Sequence, residues 1–275
     1  MLRGITTFYC TRCKHRFKAK DIEYQCTIYS FPQTCTNCGS FYTLPAKQML
    51  NPIYRCIYKD IWKSMRKEQL QYLHDMGKMH FKPWVGKNYA RGINGKRVMA
   101  LGESHYCDTP EEAVADLTSN VVNYYLSQER EHEGWMNTYT RFALALMSGK
   151  KLSHAECVEA WNKILFYNYV QVPISAPRVA PTSEQFATGE KPFFELLEQY
   201  KPHRILVWGK RLYNNLPRQG NELPGIELPS GRSIEVWGYS LPDGSVVKLL
   251  PITHPSAPTF SPSEWYPIIQ YFING

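Results

Sequence analysis

Four of the eight cysteines stand in two pairs of the form C-x2-C near the start of the chain. The pairs are Cys10 with Cys13 and Cys35 with Cys38, and 21 residues separate them. Each pair places two thiolates at one turn, and two such turns complete a tetrahedral zinc site. A pair of disulfides is the alternative, but it requires an oxidising compartment that nothing in the sequence indicates. We therefore predict a zinc ribbon with one structural zinc ion.

Three polar side chains lie at the ends of apolar runs later in the chain. They are Glu103, Asn168 and His254. Open α/β sheets bind ligands at the carboxyl ends of their strands, so such residues are candidates for a shared site. Each also has a structural alternative: Glu103 as a helix cap, Asn168 as a strand terminator and His254 as a turn residue.

The elements that position these residues alternate between strands and helices. Short apolar runs predict buried strands, and Asp243-Gly244 predicts a hairpin turn. The predicted strands are residues 98–101, 164–170, 204–209, 234–239 and 246–250. Capping boxes at Thr109 and Ser261 predict the starts of two helices, and a third covers residues 192–200. The predicted domains are a zinc ribbon (1–48), a helical linker (49–80) and an α/β domain (81–275).

Basic residues are concentrated in two short segments. The net charge is +8, and segments 1–20 and 78–97 each hold six Lys or Arg and no acidic residue. Two such patches on a near-neutral body favour a polyanionic partner. The alternative is that these are ordinary solvated surface residues.

The composition excludes two classes of protein. With 43% hydrophobic residues the chain is too apolar to be disordered, and it contains no apolar run of about 18 residues that would span a membrane. No apolar run precedes the first cysteines, so no secretory signal is predicted. We expect a bacterial cytoplasmic or nucleoid protein without membrane contact.

Three loop motifs resemble those of the uracil-DNA glycosylase superfamily. They are Gly102-Glu103-Ser104-His105-Tyr106, the Asn of ILFYNYV and the loop THPSAPTFS. The motifs occur in the order and places of that superfamily, over about residues 80–275. The resemblance implies a three-layer α/β/α fold with a mainly parallel sheet. It also implies a monofunctional DNA glycosylase that flips a uracil or modified base out of double- or single-stranded DNA and leaves an abasic site.

The chemistry of N-glycosidic cleavage assigns roles to the residues of these motifs. The sugar becomes positively charged in the transition state, and Glu103 is expected to stabilise it and orient water. The departing base becomes negatively charged, and His254 is expected to donate a hydrogen bond to it. Asn168 is expected to read the edge of the flipped base. No cofactor is needed for this chemistry.

The other predicted contacts surround these three residues. The further substrate contacts are Tyr106, His105, Tyr167 and Ser256. Phe260, near the tip of the last loop, is predicted to fill the gap that the flipped nucleotide leaves. The predicted contacts to the DNA backbone are Lys82, Lys87 and Arg91.

Two positions depart from the patterns of the superfamily. Ser104, which we include in the catalytic set, stands where the best-known uracil enzymes have an Asp. Glu103 is similar to the branch that carries an iron–sulfur cluster, but the cysteines of that cluster are not recognisable here. Some members remove hypermodified cytosines in defence against phages, so the excised base and the role in repair or defence stay open.

Two other functions fit parts of the sequence. A non-catalytic zinc-ribbon module that recognises altered bases is favoured by Ser104 in place of an acid. An RNA-associated ribbon protein with a nucleotide-hydrolysing domain is the other, and the absence of a G-x4-G-K-[ST] loop argues against it.

Overall fold

The computed structural model describes residues 2–24, 27–38, 40, 42–63, 79–107, 112–127, 129, 131–174, 179–228, 231 and 233–275. The chain divides into two units, Met1–Asp75 and Met76–Gly275. In the described part of the chain, no helix has both the length and the apolar character that crossing a membrane requires.

A three-stranded antiparallel sheet forms the first unit. Its central strand β1 (Leu2–Cys10) pairs with β2 (Arg16–Ile22) on one side and with β3 (Thr43–Pro45) on the other. Phe8 of β1 lies opposite Phe17 of β2, and both rings are buried beside the cysteine pairs. The apolar side chains of this sheet therefore pack around the predicted metal site.

Two helices, α1 (Ala46–Met49) and α2 (52–63), complete the first unit. Tyr58 and Trp62 of α2 are buried against Leu44 of β3. The Tyr58 hydroxyl donates a hydrogen bond to the carbonyl oxygen of Ser30, at 3.1 Å. Residues 52–63, which the sequence assigned to a helical linker, thus share the core of the first unit. Residues 64–78 of that segment lie outside the described residues.

Seven strands form the sheet of the second unit, in the order β4-β6-β5-β7-β10-β9-β8. They are β4 (Trp84–Val85), β5 (Val98–Gly102), β6 (Ile164–Asn168), β7 (Arg204–Trp208), β8 (Asn221–Glu227), β9 (Ser233–Ser240) and β10 (Val246–Ile252). The four adjacent strands β6, β5, β7 and β10 are parallel, and the outer pairings are antiparallel. The predicted strands are all present, and β9 and β10 form the predicted hairpin.

Helices cover both faces of this sheet. They are α3 (Leu117–Leu126), α4 (Met136–Met147), α5 (His154–Asn162), α6 (Ser183–Ala187), α7 (Glu190–Tyr200), α8 (Lys210–Asn215) and α9 (Pro262–Asn274). Side chains of α3, α4, α5 and α9 fill one core around Phe166 and Trp208, and those of α6, α7 and α8 fill a second core around Leu101 and Tyr167. Because both faces are covered, every residue of β5, β6 and β7 is buried. The predicted α/β class is confirmed, with a mixed and mainly parallel sheet.

One predicted helix start and one predicted cap differ from the structure. The helix expected from Thr109 begins at Leu117, and residues 108–111 lie outside the described residues. Ser261 precedes α9 as predicted, but its side chain makes no capping hydrogen bond to the helix backbone. Its hydroxyl instead lies 3.2 Å from the Ser263 hydroxyl, so the capping box predicted there does not form.

Candidate functional site

The four paired cysteines form one cluster in the first unit. Their sulfur atoms all lie within 4.8 Å of one another, and the Cys10–Cys38 and Cys13–Cys35 sulfur atoms are 3.7 and 3.6 Å apart. Four sulfurs at about 2.3 Å from a central zinc ion would be about 3.8 Å apart, so the spacing fits tetrahedral coordination. Hydrogen bonds, of which the backbone hydrogen bond from His15 is the largest cause, lower the pKa of Cys13 to about 6, which favours the thiolate that a metal requires. Hydrogen bonding to Cys13 and to the other thiols raises the pKa of Cys38 in the same cluster. These residues could hold a metal ion.

The parallel strands bring the predicted catalytic residues to one edge of the second unit's sheet. Gly102, which precedes Glu103, pairs with Asn168 across β5 and β6. Trp208 pairs with Ile252 across β7 and β10, two residues before His254. Since β5 and β7 are neighbours, the loops that carry Glu103, Asn168 and His254 all leave the sheet at its carboxyl edge.

Glu103 is held by a residue that the sequence did not reveal. Arg211 donates two parallel hydrogen bonds to it, from Nε to Oε2 at 2.8 Å and from Nη2 to Oε1 at 2.5 Å. The Glu103 side chain is 13% exposed and that of Arg211 is 51% exposed. The only sequence signal for Arg211 was its place just after the predicted third strand, at the same edge as Glu103.

His254 is poised as a neutral hydrogen-bond donor. The backbone N–H of Ser256 donates to His254 Nδ1 at 3.1 Å, and the Ser256 hydroxyl lies 2.8 Å from the same atom. Because Nδ1 accepts, the proton of the neutral ring is on Nε2. Burial lowers the pKa of His254, so the neutral ring prevails at pH 7. Ser256 therefore contributes by orienting His254.

A buried network fixes the Asn168 amide. His105 and Asn168 are each 6% exposed, and Asn168 Nδ2 donates to His105 Nε2 at 3.1 Å. Thr118 Oγ1 lies 2.9 Å from the same Nε2, and the Phe81 ring packs on His105 with centroids 4.7 Å apart. A Cβ on Gly102 would lie 2.2 Å from Asn168 Oδ1, so the amide can occupy this place only beside a glycine.

Gln171, which the sequence did not indicate, anchors the backbone around this network. Its side chain is buried and accepts hydrogen bonds from the backbone N–H groups of His80 and Phe81, both at 2.9 Å. Its Nε2 donates to the carbonyl oxygen of Asn168 at 2.9 Å. The strand end that carries Asn168 is therefore tied to the segment that packs on His105.

His105 leads to a prediction about pH and stability. Burial lowers its pKa to about 4, whereas an unfolded histidine titrates near 6.5. Between these values the unfolded state binds more protons, so the free energy of unfolding should fall as pH drops from 6.5 to 4, by up to about 3 kcal/mol from this residue. Urea unfolding of the wild type and His105→Asn at pH 7 and 4.5 measures this contribution.

The test depends on how the free energy of unfolding changes with pH and not on its value at pH 7. His105→Asn should lose less free energy of unfolding on acidification than the wild type, whereas His132→Asn, at an exposed position, should match the wild type. Equal slopes for all three proteins would contradict a buried, neutral His105.

Tyr106 and Ser104 lie in the same loop as Glu103. Tyr106 is 51% exposed, so its ring can contact a bound ligand. The Ser104 hydroxyl is buried and has no hydrogen-bond partner within the described part of the chain. An unpaired buried hydroxyl is unfavourable, and this one belongs to the residue that follows Glu103 in the chain.

Two predicted site residues are corrected by the structure. Tyr167 is fully buried in the core beneath α6, α7 and α8, because successive residues of a strand point to opposite faces of the sheet. Phe260 is 2% exposed and stacks on Trp265 of α9, with Arg141 above its ring. Both side chains are packed inside the structure, so Tyr167 lies in the core rather than at the site, and Phe260 does not stand at a loop tip.

The predicted backbone contacts are exposed on the second unit. Lys82, Lys87 and Arg91 are all solvent-exposed. Lys82 forms an ion pair with Asp116 at 3.2 Å, in which both side chains are more than 60% exposed. Such an exposed ion pair contributes little free energy, so Lys82 can readily exchange Asp116 for a phosphate.

No protein-family model matches the chain, and no curated protein matches it at a significant level. Support for a function therefore comes from the residues and their geometry.

Proposed function

We propose that the protein is a zinc-ribbon DNA glycosylase. The observation that carries the proposal is that the Glu103 carboxylate and the neutral His254 ring stand at one edge of a parallel sheet, where the charge of Glu103 acts on His254, together with a fixed Asn168 amide. N-glycosidic cleavage needs these groups: a carboxylate for the sugar and water, a neutral donor for the base and an amide to read the base edge. The arrangement agrees with the resemblance to the uracil-DNA glycosylase superfamily, whose three-layer fold we propose for the second unit.

The proposed reaction breaks the bond between C1′ and the base nitrogen, and the bonding electron pair leaves with the base. His254 Nε2–H donates a hydrogen bond to the base oxygen on which negative charge collects. Glu103 accepts a hydrogen bond from a water molecule, whose oxygen forms the new bond to C1′. One water proton ends on the released base, so the products are a neutral base and an abasic sugar.

We further propose that zinc is the ion at the cysteine cluster and that the ribbon binds DNA. All-thiolate tetrahedral sites are typical of structural zinc. Strand β2 exposes Arg16, Lys18 and Lys20 on one face. A row of cations without intervening acids suits a phosphate backbone. We propose that the protein acts on DNA in the cytoplasm.

A base-release assay tests the proposal directly. The full-length zinc-loaded protein is incubated with duplexes that contain uracil or 5-hydroxymethylcytosine and with an unmodified duplex, and heating in alkali then breaks strands at abasic sites. Cleavage of a modified duplex alone supports the proposal. Absence of breaks in every modified duplex, with the protein folded, would reject a glycosylase acting on these bases.

The basic residues lead to a prediction about salt. Duplex affinity should fall steeply with ionic strength, with a log–log slope of roughly −0.9 for each phosphate contact. The triple variant of Lys82, Lys87 and Arg91 to Ala should reduce that slope by about two to three without changing which base is released. Fluorescence anisotropy at 50–300 mM salt measures the slope, and an unchanged slope would remove these residues from the DNA contact.

One observation favours a second candidate function, recognition of altered bases without cleavage. Both oxygens of Glu103 accept hydrogen bonds from Arg211, which weakens the carboxylate as a base, and Ser104 supplies no second acid. Tight, base-specific binding without strand breaks in the alkali assay would identify this function.

A further inference from the structure

Arg211 offers a further role within the candidate site. We infer that Arg211 is a positioning residue of the proposed reaction, which holds the Glu103 carboxylate in one orientation and balances its charge at His254. The inference rests on the proposed function. It adds a residue from α8, an element to which the sequence assigned no part of the site.

The pairing restricts Glu103 in both position and rotation. Two parallel hydrogen bonds engage both carboxylate oxygens, at 2.8 and 2.5 Å. A bidentate pair fixes the plane of the carboxylate, whereas a single contact would leave it free to rotate. Each oxygen keeps a further lone pair for a water molecule. Among the described residues, Arg211 is the one side chain that forms hydrogen bonds or an ion pair with this carboxylate.

The backbone places Arg211 beside His254. Gly209 has φ +93°, in the region that favours glycine, and it turns the chain from β7 directly into α8. The Gly209 N–H donates to the carbonyl oxygen of Ile252 at 2.9 Å, and a Cβ on Gly209 would lie 3.5 Å from His254 Cβ. The start of α8 and the His254 loop are therefore neighbours.

Three elements present groups that act on His254. The loop after β5 contributes Glu103, which raises the pKa of His254, and α8 contributes Arg211, which lowers it, while burial has the largest effect and lowers it. Strand β7 contributes the Trp208 ring, whose centroid is 5.8 Å from that of His254. From its own loop, Ser256 contacts Nδ1. The two charges thus oppose each other, and removing either one should shift the titration of His254.

The first test compares base release by three variants. Arg211→Ala should lower the single-turnover rate by about 10²-fold, because a carboxylate displaced by about 1 Å no longer holds water in line. The rate of Arg211→Lys should also be low, since a lysine keeps the charge but cannot donate two parallel hydrogen bonds to the carboxylate. Lys210→Ala is the matched control, because it removes a neighbouring exposed charge of α8, and its rate should stay within about twofold of the wild type.

The second test follows His254 itself and does not depend on activity. Two-dimensional NMR of the imidazole, assigned with His254→Ala, should show a raised His254 pKa in Arg211→Ala and a lowered one in Glu103→Gln. Arg211→Lys should restore the wild-type value, although its rate stays low. A merely structural role would not shift the titration in opposite directions.

The outcomes separate the inference from the function on which it rests. Wild-type rates in Arg211→Ala, or a His254 pKa that neither substitution moves, would overturn the role of Arg211. If the wild type released no base from either modified duplex, the proposed function would fail. Opposite shifts in the pKa of His254 would then still assign Glu103 and Arg211 to the charge balance of this site.

Discussion

Glu103→Gln and His254→Ala are each expected to lower the single-turnover rate of base release by about 10²–10³-fold while DNA binding persists. The Gln variant keeps nearly the same shape but removes the negative charge that stabilises the positively charged sugar in the transition state. The Ala variant removes the Nε2–H donor that faces the departing base. Arg211 holds Glu103 in place and Ser256 holds His254 in place before substrate binds. Neither group has to rearrange to stabilise the transition state, so removing either one loses that stabilisation in full.

Matched controls distinguish lost chemistry from general damage. Glu264→Gln and His132→Ala change the same residue types at exposed positions outside the candidate site, and both should release base at nearly the wild-type rate. Rapid-quench kinetics with protein in excess measures the rates, and fluorescence anisotropy measures DNA affinity. Wild-type rates in Glu103→Gln and His254→Ala would place the active site elsewhere.

Loss of zinc is expected to unfold the first unit. Its described apolar cores are small, with four buried members in each. Binding of a structural zinc ion supplies on the order of 10 kcal/mol or more of folding free energy in small domains, so the sheet should not persist without the metal. Cys35→Ser should therefore carry no zinc and should bind DNA more weakly. Its single-turnover rate at saturating protein should change much less, because the candidate catalytic residues belong to the second unit.

Cys56→Ser is the matched control for the metal. Cys56 is an exposed cysteine of the first unit outside the cluster, so its variant should keep about one zinc per chain and the wild-type affinity. Elemental analysis gives the metal content, and circular dichroism follows the loss of structure. Full zinc content in Cys35→Ser would contradict the assignment of the ligands.

The fold class and five of the seven strands of the second unit could be predicted from local patterns. An apolar run of about four to seven residues bounded by polar loops can be buried only as a strand or a short helix segment, and the flanking turn residues decide between them. The start of α3 could not be predicted, because the capping signal at Thr109 lies outside the helix that packs on the sheet. Local propensity is weak, and tertiary packing determines which residues of a segment become helical.

The sequence by itself indicated the two cysteine pairs that could hold a metal ion, because spacing within a turn is a local property, and it placed Glu103, Asn168 and His254 at strand ends. Only the tertiary structure paired Glu103 with Arg211, 108 residues away, since that contact requires β5 and β7 to be neighbours. It also decided that Tyr167 and Phe260 are buried. Strands covered on both faces are apolar along most of their length, so the pattern does not show which side chain faces which layer, and only the packing of the helices decides it.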